Sequence, residues 1–199
     1  MDFVYNEDFI EIKDKDLSKL DKFVFDFVKI LEKHAKYVII SGYVAILFGR
    51  NRSSEDVDIF IEKIDKKKFN KLWNEIYDDF ECINTSNVKN AYDNYLSEGL
   101  AIRFAKKNTF IPNIELKFPK GDLDAWTLSE SKKVTINKKT LFISPLELEI
   151  SYKLFLGSEK DIGDAMHLYS LFRNYLDMKI LKEFNRKLKT ENLFNKYLK

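Results

Sequence analysis

Sulfur, proline, histidine and net charge are all scarce in this chain, and each scarcity closes off a class of function. The single cysteine, Cys82, leaves no internal disulfide and suits a reducing, cytoplasmic compartment. It reads as a core or strand residue rather than a nucleophile. Three prolines and six glycines in 199 residues leave no Gly/Pro-rich linker, and no repeat or low-complexity tract is present. Of the two histidines, His34 falls near a helix C-terminus and reads as a surface residue offsetting the helix dipole. His167 reads as packed or half-buried. No apolar run approaches the roughly 20 residues needed to cross a bilayer. The first residues, M-D-F-V-Y-N-E-D, lack the basic-then-apolar pattern of a signal peptide. A membrane partner is therefore not expected. Lys and Arg number 34 against 32 Asp and Glu, a net charge of +2, so whole-chain charge gives no argument for nucleic acid. The local run Lys66, Lys67, Lys68 and Lys71 reads first as a solvated helix face; its sharper reading is a patch for an RNA acceptor.

What the chain does have is apolar and aromatic mass, 45% and 15% of residues, enough for a solid core. Periodicity lays out the elements. A strand or hairpin is expected within the first 15 residues, around Phe9, Ile10 and Ile12. Asp16 would then cap a helix from Leu17 to about Lys36, with Leu20, Phe23, Val24, Phe27, Ile30 and Leu31 at helical spacing. Asp65 would cap a helix through Phe69, Leu72, Trp73 and Ile76. Strands are expected near Phe80–Ile83, Leu100–Phe104 and Ile111–Phe118, and helices near Val88–Leu96 and Asp122–Ser129. Residues 134–136 and 140–143 read as an edge hairpin turning at Asn137-Lys138. At Ser144-Pro145 strand character gives way to helix. Ser144 as N-cap, Pro145 at the first position and Glu147 three after the cap make a strong helix start, with Gly157-Ser158 as the stop. A second helix opens at Ser158 or Glu159, and a third covers about 174–187 before a polar, frayed tail. The layout implies an α/β (α+β) protein in two lobes. Residues 1–143 would form a small mixed sheet flanked by helices, and residues 144–199 a helical C-terminal lobe.

The chemistry concentrates between Val38 and Glu62. Tyr37–Ile40 is aromatic or β-branched and favours a strand, Ser41-Gly42 breaks it, and Tyr43–Phe48 suits one or two helical turns. A strand entering a glycine turn and a helix start presents backbone N–H groups to an anion, and the glycine permits close approach. Arg52 brings fixed positive charge. Val57, Ile59 and Ile61 then alternate with Asp56, Asp58 and Phe60, so Asp56 and Asp58 share one face of a strand. Two carboxylates so placed repel unless a cation sits between them, and oxygen-only donors suit Mg²⁺, which also takes phosphate oxygens. A phosphate cradle beside a carboxylate pair implies phosphoryl or nucleotidyl chemistry.

These residues, S-G-Y followed by R-x-S-x-D-V-D, resemble the first motif of the nucleotidyltransferase superfamily with the DNA polymerase β-like fold, most closely its minimal and AbiEii-like branches. The later stretch S-P-L-E-L-E-I-S-Y-K-L-F-L-G-S-E-K-D-I-G-D-A resembles the AbiEii-like region in which a helix carries Gln-x-x-x-Lys and the next opens with Asp-x-x-Asp. Glu149 stands in place of the Gln, Lys153 matches the Lys, and Asp161 with Asp164 matches the final pair. The resemblance implies transfer of a nucleoside monophosphate from an NTP to an acceptor hydroxyl on RNA, tRNA or a protein, with release of pyrophosphate. It implies Asp56 and Asp58 as ligands of two Mg²⁺ ions, Mn²⁺ being able to substitute, and Glu115 as the third carboxylate or base. Ser41, Gly42, Arg52, Lys153 and Asp161 would hold the nucleotide. Read from the residues alone, Glu149 and Lys153 are a helical ion pair four apart, and Glu115 is a strand glutamate that Lys117 on the same face could neutralise. Two other classes fit the same residues: a toxin–antitoxin or phage-defence component with an antitoxin-type protein partner, and a catalytically silent binding module.

Overall fold

The computed structural model describes residues 2–6 and 9–199. Among the described residues, nine strands form one mixed sheet in the order β1-β2-β8-β9-β3-β4-β7-β6-β5. They are β1 (Phe3–Tyr5), β2 (Phe9–Ile12), β3 (Tyr37–Ile40), β4 (Asp56–Ile61), β5 (Phe80–Cys82), β6 (Ile102–Lys106), β7 (Asn113–Lys117), β8 (Lys132–Ile136) and β9 (Lys139–Ile143). The connection between β1 and β2 lies partly outside the described residues. β4 runs antiparallel to β3 and parallel to β7, and β7 runs antiparallel to β6.

Alternation gives these central strands two unlike faces. Ile39, Val57, Ile59, Ile61, Ile102, Phe104, Ile114 and Leu116 are buried on one. Against them pack helices α1 (Lys19–Leu31) and α3 (Lys66–Ile76). The rings of Phe27 and Trp73 meet Phe104 at 5.6 and 5.5 Å. The other face carries Ile40, Asp58, Phe60 and Lys117, and α5 (Asp122–Ser129) and α6 (Leu146–Leu156) stand over it across a cleft. The short helix α2 (Gly42–Leu47) joins β3 to the loop before β4, and α4 (Val88–Asn90) continues as a π-helical turn, Ala91–Leu96. After α6 come α7 (Glu159–Phe172), α8 (Met178–Lys187) and α9 (Glu191–Tyr197). Among the described residues, no helix is long and apolar enough to cross a membrane.

Several expectations are revised here. The cap of α1 is Ser18, not Asp16, and the helix ends at Leu31. Asp21, three residues after the cap, returns a bond to the Ser18 N–H and completes a capping box, which Asp16 has no partner to form. Asp21 also accepts from the Tyr43 hydroxyl at 2.8 Å and pairs with Lys15. Burial alone would raise its carboxyl; those partners outweigh burial and hold it below the usual range. The β8–β9 hairpin does turn at Asn137-Lys138, both at positive φ, as a two-residue turn requires. It is not at an edge: β8 pairs with β2 and β9 with β3. The Ser144–Glu147 capping box does not form. The Ser144 N–H is used by Ile39 O to extend the β3–β9 ladder, and the Glu147 carboxylate turns to the Asp177 N–H. The tail is not frayed, since α9 buries Phe194 and is followed by buried Leu198. Gly157 does end α6, in the left-handed conformation at φ 70°.

Phe172 ties α7 to the sheet. Its ring lies 4.7 Å from Phe48 and 4.9 Å from Phe3, and it is fully buried. Phe172→Ala is expected to lose about 3–5 kcal/mol of stability, measured by urea unfolding. A loss under about 1 kcal/mol would mean that α7 is held by its other contacts and not by this ring.

Candidate active site

Strand pairing builds the acidic half of the site. Asp58 on β4 is the register partner of Glu115 on β7, which in turn faces Arg103 on β6. Register partners project to the same side of a sheet, so Asp58, Glu115 and Arg103 form one row. One step along the strands, the next row holds Phe60 and Lys117; one step back lie Asp56 and Asn113. Asp56, Asp58 and Glu115 therefore share a face, as their spacing and alternation imply. Each already has a partner. Lys117 Nζ sits 2.8 Å from Asp58 Oδ1, so Lys117 neutralises Asp58 and not Glu115. Arg103 Nε donates to Glu115 Oε1 at 2.7 Å, and its Nη2 contacts the same oxygen. Asp56 is exposed and accepts from the Ser54 hydroxyl at 3.2 Å.

Ser41 and Asp58 line the same cleft, a cavity of about 230 Å³, together with Lys117 and Glu149. Its opposite wall is α5 and α6, through Leu123, Asp124, Thr127, Leu148, Tyr152 and Leu156. The serine–glycine break and the carboxylate strand thus open into one gap. Ser41 has φ 65° and ψ −139°, a conformation L-residues seldom adopt and that costs about 1–3 kcal/mol where it occurs. Two contacts from α6 hold it there. The Ser41 N–H donates to Glu149 Oε2 at 3.1 Å, and Lys153 Nζ approaches Ser41 Oγ at 3.5 Å. Gly42 makes room for an arginine, because a Cβ at this position would collide with Nη2 of Arg52.

Behind this turn lies a buried charge network. Arg52 makes a two-pronged pair with Asp164, Nε to Oδ1 at 2.9 Å and Nη2 to Oδ2 at 2.8 Å. Lys153 Nζ, on a side chain only 2% exposed, is 2.8 Å from Asp161 Oδ1 and 3.3 Å from Asp164 Oδ2. Arg50 Nε adds a longer contact to Asp164 at 3.6 Å. Burial alone would lower the Lys153 ammonium; Glu149, Asp161 and Asp164 outweigh it and hold it above its ordinary value. Burial likewise opposes ionisation of Asp161, but bonds from Lys153 and Ser158 hold that carboxyl below its ordinary value. Glu149 is the surplus anion. Burial pushes its pKa up from 4.5 to about 7, against the pull of Lys153 and the Ser41 N–H, and with Asp58 and Asp164 adding to the rise. Its Oε1 has no hydrogen-bond partner among the described residues.

The nucleotide-holding set anticipated from sequence therefore divides. Ser41 reaches the cleft, where Glu149, a residue outside that set, also lies, and Gly42 is covered by Arg52. Arg52, Lys153 and Asp161 lie in the network that braces the turn, with Asp164. Sequence reasoning missed Arg103 and Arg50. Alternation puts Arg103 on the outward face of its strand, but nothing local says which strand β6 pairs with. His34 and His167 stay outside: His34 Nε2 bonds Glu75 at 2.9 Å and His167 Nε2 bonds Phe48 O at 3.0 Å. Burial pushes the Cys82 thiol up, away from thiolate chemistry.

As to a metal, no three His, Cys, Asp or Glu side chains among the described residues converge as a ready-made site. The donors fit a hard cation in kind: three carboxylates on one face of adjacent strands. Two of the three are already paired with cations, Asp58 with Lys117 and Glu115 with Arg103.

No family model matches the chain, and no curated protein matches it. Solved structures do. An antigenic nucleotidyltransferase-like protein from Paracoccidioides brasiliensis superposes with a TM-score of 0.53 at 17% identity, covering 89% of this chain and 90% of that one. The antibiotic-resistance factor ANT(2'')-Ia gives a TM-score of 0.52 at 10% identity, over 88% and 96%. At such identities the likeness is one of fold: the chain has a mixed α/β architecture of the nucleotidyltransferase type.

Glu149 supplies a test that needs no substrate. Its carboxyl is protonated more readily in the folded chain than in the unfolded one, so the folded state holds the extra proton between about pH 4.5 and 7. Stability therefore falls as pH rises through that window, and above it the full penalty of a buried anion applies, about 3 kcal/mol. Glu149→Gln removes the penalty. It should raise the melting temperature at pH 8 and by much less at pH 5, in melts at constant ionic strength. An equal shift at both values would remove the surplus-anion assignment.

Proposed function

We propose that this protein is a Mg²⁺-dependent nucleotidyltransferase that moves a nucleoside monophosphate from an NTP to an acceptor hydroxyl on RNA, tRNA or a protein. One observation carries the reading: Asp58 and the Ser41 turn line the same cleft, with Glu115 beside Asp58 in register. A carboxylate site for cations and a turn for phosphates are needed within one gap, and the closeness of the β4 carboxylate to the Ser41 turn supports that reading. The fold likeness to nucleotidyltransferase-like structures supports the same reading.

In this proposal Asp56, Asp58 and Glu115 hold the divalent ions, Mn²⁺ being able to replace Mg²⁺. Bound there, such ions supply Lewis-acid polarisation of phosphate oxygens and lower the pKa of the acceptor hydroxyl. The Ser41 hydroxyl meets the triphosphate, and Gly42 lets Arg52 close in behind the turn. Arg52, Lys153 and Asp161 fix the strained turn from behind, so that no reorganisation is needed as charge develops. The acceptor oxygen bonds to the α-phosphorus, the bond to the bridging oxygen breaks, and pyrophosphate leaves with the electron pair. The acceptor proton passes to Glu115 or to water. Tyr152, Leu148 and Leu156 give the cleft an apolar wall against which a nucleobase can stack.

A binding module without turnover is favoured by one feature, the cation already paired with each of Asp58 and Glu115. Labelling separates the two. With radiolabelled NTPs, Mg²⁺ and total RNA or cell protein, the wild type should label an acceptor. Asp56→Asn and Asp58→Asn should each cut labelling by at least about 10²-fold, and a chelator should abolish it. Equal labelling by all three proteins would end the catalytic reading; binding of NTP with no labelling at all would establish the silent module.

A further inference from the structure

We propose that Lys117 is an internal counter-ion for the metal site, which Asp58 gives up to a divalent ion only when the Lys117 ammonium passes to the nucleotide's phosphates. The proposal rests on the nucleotidyltransferase reading of the cleft. It goes beyond it by assigning a role to a residue outside the carboxylate set and the Ser41 turn.

The geometry is specific. Lys117 lies one row beyond Asp58 and Glu115 on the same face, beside Phe60. Its Nζ is 2.8 Å from Asp58 Oδ1 and 5.4 Å from the centre of the Phe60 ring. The side chain is thus steered by a ring quadrupole toward one carboxylate oxygen. That oxygen is a donor the proposed ion needs, and an ammonium at hydrogen-bond distance occupies the approach to it. Lys117 is also a cleft-lining residue, as is Ser41. A lysine head has three donors on a flexible stem. The same ammonium can therefore turn from Asp58 to an anion bound in the cleft while its stem keeps its place over Phe60. Arg103 is a different case. It holds Glu115 from the adjoining strand β6, and it does not line the cleft. Lys117 alone among these cations can exchange a carboxylate for a phosphate within the site.

The consequence is a sign of coupling. Without nucleotide, the ion must displace an ammonium that has nowhere better to go, so it binds weakly. With nucleotide present, the displaced ammonium gains a phosphate partner, so each ligand favours the other. Linkage makes the effect reciprocal.

Binding of Mn²⁺ followed by electron paramagnetic resonance tests this without turnover, in the presence and absence of a non-hydrolysable NTP analogue. In the wild type the analogue should tighten Mn²⁺ binding beyond what the analogue alone binds. Lys117→Met keeps the stem and removes the charge. It should tighten Mn²⁺ binding without nucleotide by about tenfold and reduce the enhancement by a similar factor. Lys117→Arg retains a cation and should keep metal binding weak without nucleotide; circular dichroism confirms that both variants fold. Unchanged or weaker Mn²⁺ binding by Lys117→Met without nucleotide overturns the proposal. If Asp58→Asn fails to weaken Mn²⁺ binding with the analogue present, the metal reading of the site has failed instead, a separate outcome.

Discussion

The cleft depends on one strand pairing. β4 runs parallel to β7 with Asp58 level with Glu115. Side chains alternate strictly along a strand, so a slip of one residue would carry these carboxylates into the apolar layer beneath and expose Val57 or Ile114 in their place. That slip is prevented from below. Val57, Ile59, Ile114 and Leu116 are all completely buried, and any slip by an odd number of residues would bring them out of the core. The apolar face of the sheet therefore fixes the address of every charge on the other face, including Arg103 and Lys117, which sit in the same rows.

The second constraint is the buried charge network, which works across the chain rather than along it. Arg52 precedes β4, Lys153 is on α6, and Asp161 and Asp164 are on α7. Their mutual pairing joins the β3–α2 turn to the two helices that follow the last strand. Charges this deeply buried contribute little net stability once desolvation is counted; what they contribute is position. The unusual backbone of Ser41 persists because Glu149 and Lys153 reach it from one side while Arg52 covers Gly42 from the other. Glu149 is the member whose burial outweighs its partners: despite Lys153 and the Ser41 N–H, its titration shifts to near neutrality.

Much of this was legible in the sequence where the signal was local. Alternation around Val57 gave the strand and the shared face of Asp56 and Asp58. The apolar spacing around Phe23 and Phe27 gave α1, and Gly157 gave the end of α6. The break at Ser41-Gly42 was visible as a break. Long-range pairing was not. The sequence around Thr135 and Leu141 shows a hairpin, but nothing in it says that β2, more than 100 residues earlier, would cover its outer edge. Ser144 looked like a cap because its neighbours fit a capping box; its N–H was already committed to Ile39 by a strand contact no window could reveal. The same limit applied to the cations. Lys117 was visible on the face of Glu115, yet its partner is Asp58, because register and the Phe60 ring decide which carboxylate it meets. Arg103 went unnoticed until β6 was placed beside β7.

Asp164 has no solvent exposure and is shared by Arg52, Lys153 and, at longer range, Arg50. A carboxylate shared in that way is costly to exchange singly, since any one loss leaves the buried charges of this network out of balance. Neutral drift at positions 52, 153 and 164 is therefore disfavoured along one-step paths. A lineage that abandoned the cleft's chemistry would be released to discard the solvent-facing Asp56 at once, while this inner trio would persist as a relic for as long as the chain still folded.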